Sequence, residues 1–111
     1  MIKFDFDDFM RVMSYDVCRS NTCIEIEFCI DQCVEYQTSW LGKMIERGTG
    51  KSIYWYGLVE DGSQAYDFES IEEFINAKIF CDNSIKEIWS LISVISIDAC
   101  EPKERLSFYL Q

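Results

Sequence analysis

The stretch SIYWYGLVEDGSQAYDFESIEEF, residues 52–74, decides the fold, because the spacing of its apolar residues changes within it. Residues 52–59, with Ile53, Tyr54, Trp55 and Tyr56, read as a strand. Asp61-Gly62 is the pair that a two-residue hairpin turn prefers, since glycine takes a positive φ without steric cost, and residues 63–68 are the returning strand. From Ser70 the period becomes helical. Ser70-Ile71-Glu72-Glu73 is a capping box, whose hydroxyl and carboxylate satisfy N–H groups orphaned at a helix start, and Ile71, Phe74, Ile75 and Ile79 form one apolar face. A hairpin that hands over to a helix predicts an α+β protein.

Upstream, Gly48-Thr49-Gly50-Lys51-Ser52 has the look of a phosphate-binding loop, but Ile45 stands where that motif needs its first glycine, and a strand follows it instead of a helix. It is read as a hairpin turn. Ile24, Ile26, Phe28 and Ile30 alternate with Glu25, Glu27, Cys29 and Asp31, the pattern of a strand with one face on a core and one in water. A second alternating run, Val34, Tyr36, Thr38 and Trp40, continues to about Ile45, with Asp31-Gln32 as the turn between them or as a bend in one long strand. Phe6, Phe9, Met10 and Met13, after Asp5 as N-cap, predict a first helix over about residues 6–16.

Downstream, Ser84-Ile85-Lys86-Glu87 repeats the capping box and opens a short helix with Ile85, Ile88 and Trp89 inward. Leu91 to Ile97, apolar on both sides apart from its serines, reads as a central buried strand. Pro102 starts a terminal helix bearing Leu106, Phe108 and Tyr109. Together these give one α+β domain over residues 1–111, a largely antiparallel meander of four to five strands packed by three to four short helices.

Composition narrows the chemistry. The chain has no histidine, which excludes Ser-His-Asp and Cys-His nucleophile systems, and the adjacent carboxylates Asp7/Asp8, Glu60/Asp61 and Glu72/Glu73 read as solvated surface. No residue is assigned a catalytic or cofactor-binding role, and a non-enzymatic protein is expected. The six cysteines contain no C-x-x-C pair; Cys29 and Cys33, with Cys100, are the one combination that would suit a metal, and they are read instead as small hydrophobes, with no metal assigned. The N-terminal stretch MIKFDFDDF places Asp5, Asp7 and Asp8 where an export signal carries basic and then apolar residues, so a cytoplasmic location with reduced thiols is expected.

Charge is the strongest functional signal. Ten Lys and Arg against twenty Asp and Glu give a net of −10. Between Lys51 and Lys78 lie Glu60, Asp61, Asp67, Glu69, Glu72 and Glu73 with no basic residue, and between Arg19 and Lys43 lie Glu25, Glu27, Asp31 and Glu35, again unrelieved. Direct nucleic-acid binding, which needs cations to displace counterions, is excluded on this balance, and a basic protein surface is the partner such a field attracts. The candidate partner-binding residues are Glu60, Asp61, Asp67, Glu69, Glu72 and Glu73, with Tyr54, Tyr56 and Tyr66 as exposed aromatic anchors.

The succession YWYG (54–57), Asp61-Gly62, FESIEEFINAKIF (68–80), DNSIKEIW (82–89) and an apolar strand, over roughly residues 52–98, resembles small acidic proteins of bacterial genomes and mobile elements. In size, acidity and want of catalytic motifs the chain is also similar to anti-CRISPR proteins, phage-encoded inhibitors among them, and to immunity proteins that neutralise nuclease toxins. The resemblance implies inhibition by occupying a basic nucleic-acid site on an enzyme, and it carries no residue assignments. The alternatives are a general interaction module of a mobile element and a cysteine-based metal or small-ligand domain.

Overall fold

A computed structural model describes residues 1–111. Strands β1 (Ile24–Ile30), β2 (Ser39–Ile45), β3 (Ser52–Gly57), β4 (Ala65–Phe68) and β5 (Ile92–Ile97) form one sheet in the order β4-β3-β2-β1-β5, every neighbouring pair antiparallel. The register sets the two faces. Ile24, Lys43, Tyr54 and Phe68 lie in one cross-strand row, and Ile26, Leu41, Tyr56 and Tyr66 in the next. Because side chains alternate along a strand, Glu25, Glu27, Trp40, Gly42, Trp55 and Asp67 share the opposite face.

Helices α1 (Phe6–Met13), α2 (Val17–Ser20), α3 (Ile71–Asn76), α4 (Ile85–Ile88) and α5 (Pro102–Tyr109) each put at least one side chain into the core on the first face, from Phe9, Val12 and Met13 through Val17, Phe74 and Ile85 to Tyr109. Aromatic rings set the spacing there. Tyr56 stacks on Phe74 with centroids 4.2 Å apart, and its hydroxyl donates to the Phe74 carbonyl at 2.7 Å, pinning α3 to β3. Phe9 stacks on Trp89 at 4.4 Å, joining α1 to the turn after α4. Lys43 projects from the central strand into this core, and its ammonium donates to the carbonyls of Met13 (2.9 Å) and Tyr15 (2.8 Å), acceptors left without intrahelical partners where α1 ends. Burial holds that ammonium's pKa below the ordinary lysine value.

Several boundaries differ from the sequence reading. The run from Val34 is not strand: residues 31–38 loop out and back, with Gln32 at φ 61° and the Ile30 N–H donating to the Tyr36 carbonyl, and β2 begins only at Ser39. Asp61-Gly62 is not a two-residue hairpin. The strands part at Gly57, a wider loop is closed by Leu58 N–H to the Gln64 carbonyl, and Gly62 (φ 79°) completes a turn from Val59 inside it. The first helix breaks at Ser14, and Asp16 caps α2 through its bond from the Arg19 N–H, giving five helices where three to four were expected. Ser84 forms the complete capping box; Ser70 accepts from the Glu73 N–H, but its hydroxyl, not its N–H, meets the Glu73 carboxylate.

The stretch ending at Ile97 is an edge strand, not a central one. Its two-sided apolar pattern comes from a bulge: Glu27 pairs Ser96 and Phe28 pairs Val94, so Ile95 is an extra residue and the inward phase shifts. Its free edge is closed by Ile2, which exchanges both backbone hydrogen bonds with Val94 (2.9 and 2.8 Å). Beyond Ile97, Asp98 and Ala99 take positive φ in a tight turn, and the Asp98 carboxylate accepts from the Glu25 N–H, Arg105 and the Tyr109 hydroxyl, fastening α5 to the start of β1.

Candidate functional site

All six acidic residues from Glu60 to Glu73 are exposed, but they do not form one flat face. Glu60 and Asp61 sit in the β3–β4 loop, Asp67 lies on the helix-free face of β4, and Glu72 and Glu73 occupy the first turn of α3 in the helical layer. Glu69 lines a cleft with Glu46, Lys51 and Ser52 beside the β2–β3 hairpin. The expected anchors Tyr54 and Tyr56 are corrected: both are buried in the core, at 8% and 1% exposure, because their strand phase points them at the helices. Tyr66 shares that phase and is exposed only because β4 is the sheet's edge.

The fold brings together carboxylates that are remote in sequence. Glu35, from the 31–38 loop, lines an open groove of about 400 Å³ with Val34, Thr38, Val59, Glu60 and Asp61. Gln64 ties the two loops, its amide donating to Glu35 (3.2 Å) while its carbonyl oxygen accepts from the Tyr36 hydroxyl (2.9 Å). Bonds from the Ser63 hydroxyl and N–H hold the Asp61 carboxyl below the usual carboxylate range, so it keeps its charge.

A second groove of about 510 Å³ continues from the first through Thr38, Val59 and Glu60, and adds Glu25, Trp40, Trp55 and Gly57. No basic residue lines either one. Across the helix-free face, one row reads Asp67, Trp55, Gly42, Glu25, and the next reads Ala65, Gly57, Trp40, Glu27. Each tryptophan thus stands beside a glycine on the adjoining strand. The Trp55 indole lies against Gly42, occupying the space within 2.7 Å of where a β-carbon would sit. Both indoles are partly exposed on the groove floor, each with a glycine on one side and a carboxylate on the other, Glu27 beside Trp40 and Asp67 beside Trp55.

These tryptophans were missing from the residues singled out by sequence. The signal was present in the period of two: Trp40 alternates with Leu41 and Trp55 with Tyr54 and Tyr56, so the indoles must face away from whichever side buries the tyrosines.

The remaining candidates resolve differently. Gly48 and Gly50 take positive φ in the hairpin closed by Glu46 N–H to the Lys51 carbonyl, and an anion at Lys51 would face Glu46 and Glu69. Cys29 is buried with its thiol 3.7 Å from the Met1 sulfur, Cys33 and Cys81 line an apolar hollow of about 160 Å³ with Tyr36 and Phe80, and Cys100 lies exposed in a turn. No three Cys, Asp or Glu side chains converge where they could hold a metal ion. No helix is long and apolar enough to cross a membrane.

No family model matches the chain, and no curated protein or solved structure matches it.

Proposed function

We propose that the chain is a small acidic inhibitory protein that binds a basic, nucleic-acid-processing protein in the cytoplasm and presents carboxylates where that partner expects phosphates. The observation that carries this reading is the convergence of Glu25 and Glu35 with Glu60 and Asp61 along one pair of joined grooves that no cation lines. Fixed carboxylates of one sign raise the local concentration of a cationic partner and speed its encounter, and they repel nucleic acid and anionic membrane alike. Partly exposed indoles beside them supply the apolar contact area in which interface affinity concentrates. No catalytic role is proposed.

The test is to capture partners with the immobilised chain and with a Glu25→Lys/Glu60→Lys/Asp61→Lys form, then to titrate an identified partner against its own DNA or RNA ligand. Competition with nucleic acid, affinity that falls with added salt, and loss of both in the charge-reversed form are expected. A partner that binds both forms equally, or that holds its nucleic acid undisturbed, would refute phosphate mimicry.

A further inference from the structure

We propose that the Trp40–Trp55 groove reads arginine: its occupant is an arginine-bearing segment of the partner, whose guanidinium stacks on a partly exposed indole while Glu25 or Glu60 accepts its N–H donors. This rests on the function proposed above and specifies its partner surface.

The argument starts from what cannot cover this face. A second copy of the chain would set Glu25, Glu27, Glu60 and Asp67 against themselves without an intervening cation. Nucleic acid and anionic lipid carry the same sign. A neutral apolar segment would strip water from these carboxylates and return nothing to them. A cation satisfies both components, and the two cations of proteins are not equivalent here. Lysine offers a compact, strongly hydrated charge; arginine offers a weakly hydrated plane that lies flat on an indole and a fork of donors that matches a carboxylate.

The platform is built for a flat group. Gly42 and Gly57 leave no side chain standing between the indoles and the neighbouring strands, and Trp55 lies down on Gly42. Glu25 and Glu60 line the groove together with both indoles, and Glu27 beside Trp40 and Asp67 beside Trp55 add charge one strand away. Glu27 also accepts from the Ser96 hydroxyl (3.2 Å), which steadies it.

The experiment uses the full chain and two labelled peptides of equal length and charge, one rich in arginine and one in lysine, followed by fluorescence anisotropy. The arginine peptide should bind about tenfold more tightly. Trp40→Ala and Trp55→Ala should each abolish most of that preference while changing lysine-peptide binding little, and Glu25→Gln/Glu60→Gln should weaken both peptides without indole loss. Glu72→Gln/Glu73→Gln, in the helical layer, should leave the preference intact. Equal affinity for the two peptides overturns the proposal, as does a preference that survives in the folded Trp40→Ala and Trp55→Ala forms. If a nucleic-acid-displaced partner is found but no arginine preference exists, only this inference fails. A preference without any such partner leaves this inference standing and removes the proposed inhibition.

Discussion

Replacing Gly42 by alanine isolates the contact on which the exposed platform depends. In the interior of a strand, alanine for glycine ordinarily gains roughly 0.5–1 kcal/mol, because the unfolded chain loses freedom. At Gly42 the new methyl would meet the Ile24 carbonyl oxygen at 2.1 Å and the Trp55 ring at 2.7 and 2.8 Å. The indole can rotate away, but the carbonyl belongs to β1 and can move only by disturbing the ladder between the two innermost antiparallel pairs. Overpacking of this kind costs about 1–3 kcal/mol, and with backbone as the obstacle the upper value applies; offset by the ordinary gain, a net loss of about 2–2.5 kcal/mol is expected. With a urea slope of about 1.5 kcal/mol/M for a chain of this size, the midpoint should fall by about 1.5 M. Gly57→Ala is the internal control, since its methyl would meet only Trp55 at 3.9 Å, an ordinary contact. Adding Trp55→Ala to Gly42→Ala separates the two obstacles: partial recovery indicts the indole, none indicts the carbonyl. A Gly42→Ala midpoint equal to or above the parent's, with unchanged slope, would refute the reasoning.

Four further outcomes follow from individual polar groups and thiols. Tyr56→Phe leaves the Phe74 carbonyl without its partner inside the core and should cost about 1–2 kcal/mol, a drop of roughly 5 °C in thermal midpoint; an unchanged midpoint would show that the bond contributes nothing. Burial raises the phenols of Tyr54, Tyr56 and Tyr109 above the ordinary value, so above about pH 10 the unfolded chain releases protons that the folded one keeps, and stability measured by urea titration should be level below that pH and fall above it. Glu87 is held down to about 2, first by its bond from Lys78 and then by the Ser84 N–H, so stability present above the usual carboxylate range is lost as pH falls toward 2; Glu87→Gln should flatten that acid limb, and an identical limb in both forms would refute the assignment. All six cysteines should titrate as free thiols in denaturant without reductant, and in the native protein Cys29 should lag the exposed Cys18, Cys81 and Cys100; fewer than six would reveal a disulfide.

What could be read from the chain was what is local. Asp5, Ser70 and Ser84 each accept from an N–H three residues on, a bond the sequence alone specifies, and the alternation of β1 is a property of seven consecutive residues. What could not be read was which side of the sheet the helices take. That choice buries Tyr54 and Tyr56 and leaves Trp40 and Trp55 at the surface, and strand period alone defines the two sets without saying which is wet. Lys43 shows the same limit: nothing near it in sequence announces that two carbonyls thirty and twenty-eight residues away would receive its charge. The two acidic segments were each visible, but the Gln64 bridge that brings Glu35 to Glu60 and Asp61 joins loops rather than neighbours.

The position of β5 at the sheet's rim bears on how the molecule assembles. Ser52 pairs with Ile45 across a short hairpin, whereas Ile97 pairs with Ile26 from the far side of the chain, and closing that larger loop costs about 2 kcal/mol more in chain entropy. The meander from β1 to β4 therefore nucleates before β5 can dock, and pulse-labelling hydrogen exchange during refolding should find the β5 amides protected last among the strands. Until that docking, Ile92, Val94, Ile95 and Ile97 lie uncovered on a segment without charge, and it is in this interval that self-association competes with folding.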